Sequence, residues 1–256
     1  MKVLAIGDVI GRPGRRALAR LVPRLREEHG LDIVIANGEN LAGGIGITAA
    51  GLEELRATGV DVVTSGNHVL RHKDVIPYLE DIECPIVRPL NYPPAAPGKG
   101  WCLFGGLLVV NLIGRVFMSS YDCPFRAMDA LLEQLPNGAR AVFVDFHAEA
   151  TSEKIALGRY LDGRVAAVVG THTHVGTTDA CILPGGTAYV TDVGMAGPVE
   201  SVIGDEPEGV IRRFLTMIPE RLEVAKGRVG VDAMLVTIDD ANGLATDIVR
   251  IREVVD

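Results

Sequence analysis

The sequence predicts an α/β fold in which two packed, mixed β-sheets are flanked by helices, built as one domain over residues 1–256. Near the N-terminus, short apolar runs alternate with amphipathic helical stretches, which is the pattern of right-handed parallel βαβ units. Paired apolar runs joined by tight turns follow in the middle and at the C-terminus, and these are typical of antiparallel hairpins. The chain has 256 residues, 48% of them hydrophobic, and no internal repeat or low-complexity segment interrupts it. This length and composition are enough to bury one large core.

The N-terminal third is predicted to be strand, helix, strand, helix, strand. We place the three strands at residues 3–6, 33–36 and 60–63, where the chain is apolar and rich in β-branched residues. The first helix is expected at residues 15–29, because its leucines recur at three- and four-residue spacing and Gly30 follows as a stop. Thr48 is expected to cap the second helix, which ends at Gly59.

The remaining elements are predicted with more antiparallel character. We expect helices at residues 74–80, 128–135 and 154–161, and strands at residues 85–87, 141–146, 164–169 and 187–190. One hairpin is predicted from residues 101–104 and 107–113 around Gly105-Gly106. A second is predicted from residues 231–238 and 244–251 around a turn at residues 239–243. Residues 209–215 fit either a strand or a helix.

Charge and composition exclude several classes of partner. The formal net charge of −8 argues against duplex nucleic acid or an anionic membrane surface as an electrostatic partner. No apolar run approaches the roughly 18 residues of a membrane span, and no signal peptide pattern is found. The four cysteines are scattered without a C-x-x-C pair. These features predict a reduced, cytoplasmic protein, and exposed methionines and aromatics predict a homo-oligomer.

Metal-ligand side chains follow five of the predicted strands. Ligands bind at the carboxyl ends of strands in open α/β sheets, so these positions are expected to converge. Two histidines that are two residues apart follow the strand at residues 164–169, and such a pair can face one point. In chain order the candidates are Asp8; Glu39 and Asn40; Asn67 and His68; His147; His172 and His174.

The chemistry of these donors indicates two metal ions. Two carboxylates, one or two amide oxygens and three imidazoles are too many ligands for one tetrahedral zinc ion. They suit two divalent or mixed-valence transition-metal ions that share a carboxylate. Mixed nitrogen and oxygen ligands without a thiolate point to iron, manganese or zinc. His68 follows an amide candidate and is predicted to stay free of metal and act as a general acid.

In their order along the chain, these motifs resemble the binuclear metallophosphoesterase superfamily. The similarity covers essentially the whole chain and is greatest to the YmdB-like branch of bacterial 2′,3′-cyclic-nucleotide phosphodiesterases. The superfamily at large places Asp-x-His after strand one and an aspartate after strand two. Here Asp8-Val9-Ile10 and Glu39 stand at these positions, as in the branch. The motifs are Gly7-Asp8, Gly38-Glu39-Asn40, Gly66-Asn67-His68, Asp145-Phe146-His147-Ala148-Glu149 and Gly170-Thr171-His172-Thr173-His174.

The resemblance implies a four-layer αββα sandwich and hydrolysis of a 2′,3′-cyclic nucleotide or a related small phosphodiester. A hydroxide activated by two metal ions would attack phosphorus while His68 protonates the leaving oxygen. Carried over, one ion would be held by Asp8, Glu39 and His174 with Asn40 at or near it, and the other by Glu39, Asn67, His147 and His172. Asn40 could instead contact the substrate. From the residues alone, Arg12, Arg115 and Phe117 are candidate substrate contacts, and a loop at residues 194–198 is expected at the pocket rim.

Two alternatives remain open from the sequence. Residues 44–49 match the G-x-G-x-x-A pattern of a nucleotide-binding module, with Asp61 downstream. That pattern should begin directly after a strand, whereas residues 37–43 intervene and carry Glu39, whose charge would repel a pyrophosphate. These glycines are instead expected to bring the loop close to the metal site. The other alternative is a metal-binding regulatory protein with low turnover.

Overall fold

The structure is a computed structural model that describes residues 1–256, and its backbone forms two six-stranded mixed sheets with helices on their outer faces. Sheet 1 has the strand order β12-β11-β10-β1-β2-β3 and sheet 2 the order β4-β5-β6-β7-β9-β8. The strands are β1 (Lys2–Val9), β2 (Ile33–Asn37), β3 (Val62–Thr64), β4 (Trp101–Phe104), β5 (Leu107–Ile113), β6 (Ala141–His147), β7 (Ala167–Thr171), β8 (Cys181–Ile182), β9 (Ala188–Val190), β10 (Met195–Pro198), β11 (Val229–Ile238) and β12 (Ala245–Val255). The helices are α1 (Gly11–His29), α2 (Ala49–Ala57), α3 (Ile76–Glu80), α4 (Pro124–Glu133), α5 (Thr151–Tyr160) and α6 (Pro207–Thr216), with a 3-10 turn at Lys73–Val75.

Side-chain alternation along the strands generates the four layers. In β1, Leu4 and Ile6 pack with α1 and α2, whereas Val3 and Ala5 pack against sheet 2. In β6, Phe143 faces sheet 1, and Val144 packs with residues of α4 and α5. Two hydrophobic layers therefore lie between sheet and helices, and a third lies between the two sheets. The predicted αββα sandwich is confirmed.

Most predicted elements are found, with three corrections. The strand predicted at residues 85–87 is wrong, because this segment makes only a single parallel bridge between Val63 and Ile86. The loop expected at residues 194–198 is also wrong, since Met195–Pro198 is β10 and pairs with both β1 and β11. The short strand Cys181–Ile182 was not predicted. The ambiguous segment at residues 209–215 lies in α6, which starts at Pro207, where proline is favoured in the first helical turn.

The topology brings the carboxyl ends of β1, β2, β6 and β7 to one edge of the molecule. β1 and β2 are parallel neighbours in sheet 1, and β6 and β7 are parallel neighbours in sheet 2. A buried hydrogen bond joins the sheets there, because Asn37 Nδ2 at the end of β2 donates to Asp145 Oδ2 on β6 at 3.1 Å. Side chains from both sheets therefore meet at this edge. None of the helices has the length and apolarity that crossing a membrane requires.

Candidate metal centre

All seven predicted metal ligands meet at this edge. They lie at the ends of strands or on the loops that follow β2, β3 and β7. Asp8, Glu39, Asn40 and His147 are buried, although charged and amide groups are costly to bury without partners. The set is Asp8, Glu39, Asn40, Asn67, His147, His172 and His174.

Three of these residues converge on one atom of a fourth, Nε2 of His147. Glu39 Oε1 lies 2.9 Å from it, His172 Nδ1 3.0 Å and Asn67 Oδ1 3.2 Å. Ligand atoms of Glu39, His147 and His172 all lie within 4.8 Å of one another. Donor atoms at separations of this size are spaced as the ligands of one transition metal would be, since metal bonds to nitrogen and oxygen are about 2.0–2.2 Å long.

A second group of donors surrounds a carboxylate oxygen that has no partner. Asp8 Oδ2 accepts a hydrogen bond from the His172 backbone N–H at 3.0 Å, but Asp8 Oδ1 is buried without one. His174 Nε2 lies 3.9 Å from that oxygen. Asn40 Oδ1 is likewise buried and unpartnered, while its Nδ2 donates to the Gly44 carbonyl at 2.8 Å. Unsatisfied buried oxygens are rare, and each of these two would gain a partner if a cation bound beside it.

In each of the three histidines one ring nitrogen has a partner within the protein. The other ring nitrogen is therefore the atom that is available to a metal. His174 Nδ1 donates to the Ile203 carbonyl at 2.8 Å, so its Nε2 is free to face Asp8. His172 Nε2 pairs with Glu149 at 3.1 Å, so its Nδ1 is the ligand atom. His147 Nδ1 donates to Thr171 Oγ1 at 2.9 Å. Metal-binding histidines usually have such partners, which set the ring orientation and tautomer.

The support behind His147 extends into the buried core between the sheets. The Thr171 hydroxyl, which accepts from His147, donates to Asp145 Oδ1 at 2.7 Å. Asp145 Oδ2 accepts from Asn37 Nδ2 and from the Thr64 hydroxyl. Sequence reasoning missed Thr171 and Glu149 as supporting residues, although both lie within the recognised motifs. Both could have been found as oxygen-bearing side chains that lie one or two residues from a candidate ligand in the sequence.

The backbone of the loop after β7 is held in an unusual conformation. His172 has a φ of 99° and His174 a φ of 63°, a region that residues with side chains seldom adopt. Such strain costs on the order of 1–3 kcal/mol per residue and persists where the surroundings enforce it. Here it places the His172 imidazole beside His147 and the His174 imidazole beside Asp8, from one short loop.

The charges of the metal-free centre are strongly coupled. Burial alone would lower the pKa of His147, but the carboxylates of Glu39 and Asp8 outweigh it and raise that pKa to about 9. Burial would raise the pKa of Glu39, but the attraction of His147 lowers it to about 2. Burial raises the pKa of Asp8 to about 6. Burial and the charge of His147 lower the pKa of His172 to about 3, so this ring is neutral and able to bind a metal.

These donors fit a pair of metal ions. His147 Nε2 and Glu39 Oε1 are held together by a proton in the metal-free state, and a cation can take the place of that proton. A second cation would have the unpartnered oxygens of Asp8 and Asn40 as candidate ligands. Glu39 lies between the groups, since it contacts His147 and its charge also acts on Asp8. Oxygen and imidazole donors without a thiolate suit divalent transition metals.

A cleft of about 350 Å³ opens over this centre. His68 lies in its wall, with its Nε2 3.1 Å from the amide nitrogen of Asn67, and its backbone N–H donates to Glu39 Oε2 at 3.1 Å. Ile203 and Asp205 form another part of the wall, and sequence reasoning missed both, because no motif marks the loop that carries them. His68 therefore faces the space above the ligands without joining them.

The three predicted substrate contacts do not line this cleft. Arg12, in the first turn of α1, lines a separate groove. Arg115 donates through its backbone N–H to Glu153, and its guanidinium lies 3.5 Å from the sulfur of Cys123. Phe117 is 88% exposed on a loop, and its own backbone φ is 62°.

The glycine-rich segment at residues 44–49 is part of the cleft and not a dinucleotide loop. Gly44 and Ile45 line the cleft, and the Gly46 backbone N–H donates to the Glu39 carbonyl at 2.6 Å. Thr48 caps α2 through its hydroxyl, which accepts from the Gly51 N–H at 3.2 Å. These contacts are the ones expected of a loop that passes close to a metal site.

Known proteins are similar to this chain over nearly its whole length. Residues 4–251 match the family model described as YmdB-like protein. The chain is 45% identical to the 2′,3′-cyclic-nucleotide 2′-phosphodiesterase of Bacillus subtilis (strain 168), over 98% of this chain and 96% of that protein. The crystal structure of a hypothetical protein from Thermus thermophilus superposes with a TM-score of 0.93 at 48% identity, covering 99% of both chains. That of a novel phosphatase from Mycoplasma pneumoniae superposes with a TM-score of 0.92 at 33% identity, covering 99% of this chain and 93% of the other. With the ligand motifs, the fold and nearly the full length in agreement, the chain belongs to the YmdB-like family.

Proposed function

We propose that this protein is a metal-dependent phosphodiesterase that hydrolyses 2′,3′-cyclic nucleotides. The observation that carries the proposal is the convergence of Glu39, Asn67 and His172 on His147 Nε2 beneath an open cleft. A phosphodiester carries a negative charge that this acidic protein would repel without cations. The relationship to a 2′,3′-cyclic-nucleotide 2′-phosphodiesterase supports the choice of substrate.

We assign the residues to two ions. Asp8, Glu39 and His174, with Asn40 beside them, would hold one ion, and Glu39, Asn67, His147 and His172 the other. Ions held there supply Lewis-acid chemistry: they lower the pKa of water and offset the negative charge on the phosphoryl oxygens. The donor set favours iron or manganese.

His68 is the proposed general acid. Hydrolysis adds water across the bond between phosphorus and the 2′-oxygen, and the departing ribose oxygen needs a proton because it is a poor leaving group. The His68 ring lies in the cleft wall and is oriented by Asn67, the ligand that precedes it. A proton on this ring can reach the leaving oxygen of a substrate seated in the cleft.

The experiment that tests the proposal combines elemental analysis with turnover. Protein purified without oxygen is analysed for iron, manganese and zinc, and is assayed on 2′,3′-cyclic AMP and on an aryl phosphodiester. We expect about two ions per chain, loss of turnover after chelation and recovery when metal is returned. Undiminished turnover by protein shown to be free of metal would contradict the proposal. A full complement of metal with no turnover on either substrate would instead favour a regulatory metal-binding role.

A further inference from the structure

A groove lined by cations lies beside the cleft, along α1 and the segment before β11. It consists of two hollows of about 540 and 280 Å³ that share Arg12, Pro13 and Lys226, and we call it the basic groove. Asp256 is the only acidic residue that lines it, in a protein whose net charge is −8. The groove is therefore a local concentration of positive charge. Its basic residues are Arg12, Arg15, Arg16, Arg20 and Lys226.

Three of these cations have no partner within the protein. Arg12, Arg16 and Lys226 are exposed and take part in no ion pair or side-chain hydrogen bond. The other two are engaged, since Arg15 pairs with Glu54 and Arg20 donates to the Asp256 carbonyl at 2.7 Å. Unpaired arginines and lysines side by side repel one another, and an anion with several charges relieves that repulsion.

The basic groove and the metal cleft are separated by one loop. Leu41, Ala42 and Gly43 line the groove, whereas Asn40 and Gly44 line the cleft. A side chain at Gly43 would meet nothing within 4 Å, so the loop rises there as a bare backbone. The N–H groups of Gly43 and Gly44 donate no hydrogen bond within the protein. At Gly43 a flexible chain that passes from the cleft into the groove would therefore meet only backbone.

We propose that the substrate of this site is the 3′ end of a single-stranded RNA, with its 2′,3′-cyclic phosphate in the cleft and its upstream phosphates in the basic groove. This inference rests on the proposed function. A cyclic phosphate on an RNA chain exists only at the 3′ end, so the rest of the chain must leave from the 5′-oxygen of the last ribose. The next charges along it are phosphodiesters, which are the groups that unpaired arginines and lysines bind.

The composition of the groove defines what it can recognise. No aromatic residue lines it, so it offers no platform for base stacking, and the recognition of sequence is not expected there. The net charge of −8 opposes the approach of a duplex, which carries the phosphates of two strands. A few phosphates of one strand match the few free cations.

The test compares a cyclic mononucleotide with an oligoribonucleotide that ends in a 2′,3′-cyclic phosphate. We expect the metal-loaded protein to turn over the oligonucleotide with a kcat/KM at least about tenfold higher at low salt. The variant Arg16→Ala/Lys226→Ala should lose about tenfold on the oligonucleotide and change less than about twofold on the mononucleotide. The dependence of log(kcat/KM) for the oligonucleotide on log salt should become shallower by roughly 1.4, about 0.7 for each phosphate contact removed.

The matched control removes two positive charges outside the groove. Arg24→Ala/Arg159→Ala has the same net charge as the groove variant, and its residues lie on α1 and α5 away from both hollows. It should leave both substrates unaffected. Equal losses in the two variants would show that only net charge matters and would overturn the proposal. Equal kcat/KM values of the unmodified protein for the two substrates would overturn it as well.

A binding measurement separates this inference from the proposed function. Fluorescence anisotropy with a labelled oligoribonucleotide ending in a 3′-phosphate requires no catalysis. Binding that weakens about tenfold in the groove variant but not in the control supports the role of the basic groove, whether or not either cyclic substrate is hydrolysed. Absence of hydrolysis of both substrates would refute only the proposed function. Binding that is the same in all three proteins would refute the basic groove while leaving hydrolysis of mononucleotides intact.

Discussion

The ammonium group of Lys154 lies 2.7 Å from Asp192 Oδ2, and both side chains are buried. Asp192 Oδ2 also accepts from the backbone N–H and the hydroxyl of Thr173, at 3.2 and 2.7 Å. Thr173 stands between His172 and His174, whose backbones both have positive φ. The buried ion pair thus holds the loop that presents both imidazoles, and it connects α5 and the segment after β9 to the metal centre.

We predict that Asp192→Asn destabilises the protein by about 3–5 kcal/mol, because it leaves the Lys154 charge buried without its counter-ion. Urea unfolding in the presence of a chelator measures this loss without a contribution from metal binding. The control is Glu28→Gln, which breaks the exposed ion pair with Arg24 on α1 and should change stability little. Equal effects of the two substitutions would show that Lys154 and Asp192 do not stabilise the loop.

A second prediction concerns the hydroxyl between His147 and Asp145. Thr171→Val keeps the shape of the side chain but removes the group that accepts from His147 Nδ1 and donates to Asp145 Oδ1. We expect metal affinity to fall about 10- to 100-fold, the usual effect of losing a residue that orients a ligand. Calorimetric titration of chelator-stripped protein with Mn²⁺ measures it. Thr171→Ser restores the hydroxyl and should restore most of the affinity; if it binds metal as poorly as the valine variant, the hydroxyl is not responsible.

Gly66 gives a third prediction, because its position leaves no room for a side chain. A Cβ there would overlap Glu39 Oε2 and the imidazole of His147. Gly66→Ala must therefore displace the carboxylate assigned to both ions, and we expect metal content after dialysis to fall well below half. In the control Gly209→Ala, within α6, the nearest atom is 3.6 Å from the added carbon. That variant should keep its metal and gain up to about 1 kcal/mol of stability.

The sequence predicted the convergence of the proposed ligands for a physical reason. Parallel neighbours place their carboxyl ends at the same edge of a sheet, so the polar residues at or after the ends of β2 and β3 in sheet 1 lie near one another, as do those of β6 and β7 in sheet 2. The βαβ pattern near the N-terminus and the hairpins in the middle and at the C-terminus were enough to predict two mixed sheets. Local sequence pattern and the rules of strand connection were therefore enough to predict most of the fold.

What the sequence did not show depends on long-range packing. β10 contains glycine, alanine and proline in four residues and has no strand-like periodicity, yet its place between β1 and β11 makes it a strand. Asp192 could not be identified as a support of the metal loop, since its partner Lys154 is 38 residues away. The free cations of the basic groove come from α1 and from Lys226, which only the folded chain brings together.

The fourth prediction is a pH dependence of the stabilisation by metal. In the metal-free protein His147 gains a proton on folding, because its pKa is raised from 6.5 to about 9 by Glu39 and Asp8 against the effect of burial. The stability that this gives is fully present below pH 6.5 and is lost as the pH rises through about 9. In the metal-bound protein the ligating nitrogen cannot carry the proton.

The gain in Tm from added metal should therefore increase between about pH 6.5 and 9, as the competing proton leaves His147. Differential scanning calorimetry with and without Mn²⁺ or Zn²⁺ across this range measures it. The His147→Gln variant, which has no titrating ring, should show a gain in Tm that varies much less with pH. A gain that is constant or that decreases in the unmodified protein would contradict the assignment of His147 as a protonated ligand in the metal-free state.

The last prediction tests the role of His68 against that of its neighbour Asn67. His68→Ala removes the proposed acid but no metal ligand, so metal content should be unchanged while turnover of 2′,3′-cyclic AMP falls about 10²- to 10⁴-fold. Asn67→Ala should instead lower the metal content, because Asn67 Oδ1 lies 3.2 Å from His147 Nε2. An aryl phosphodiester with an acidic leaving phenol needs no proton on its departing oxygen. On that substrate His68→Ala should lose far less activity, and an equal loss on both substrates would mean that His68 positions the phosphate and does not protonate the leaving group.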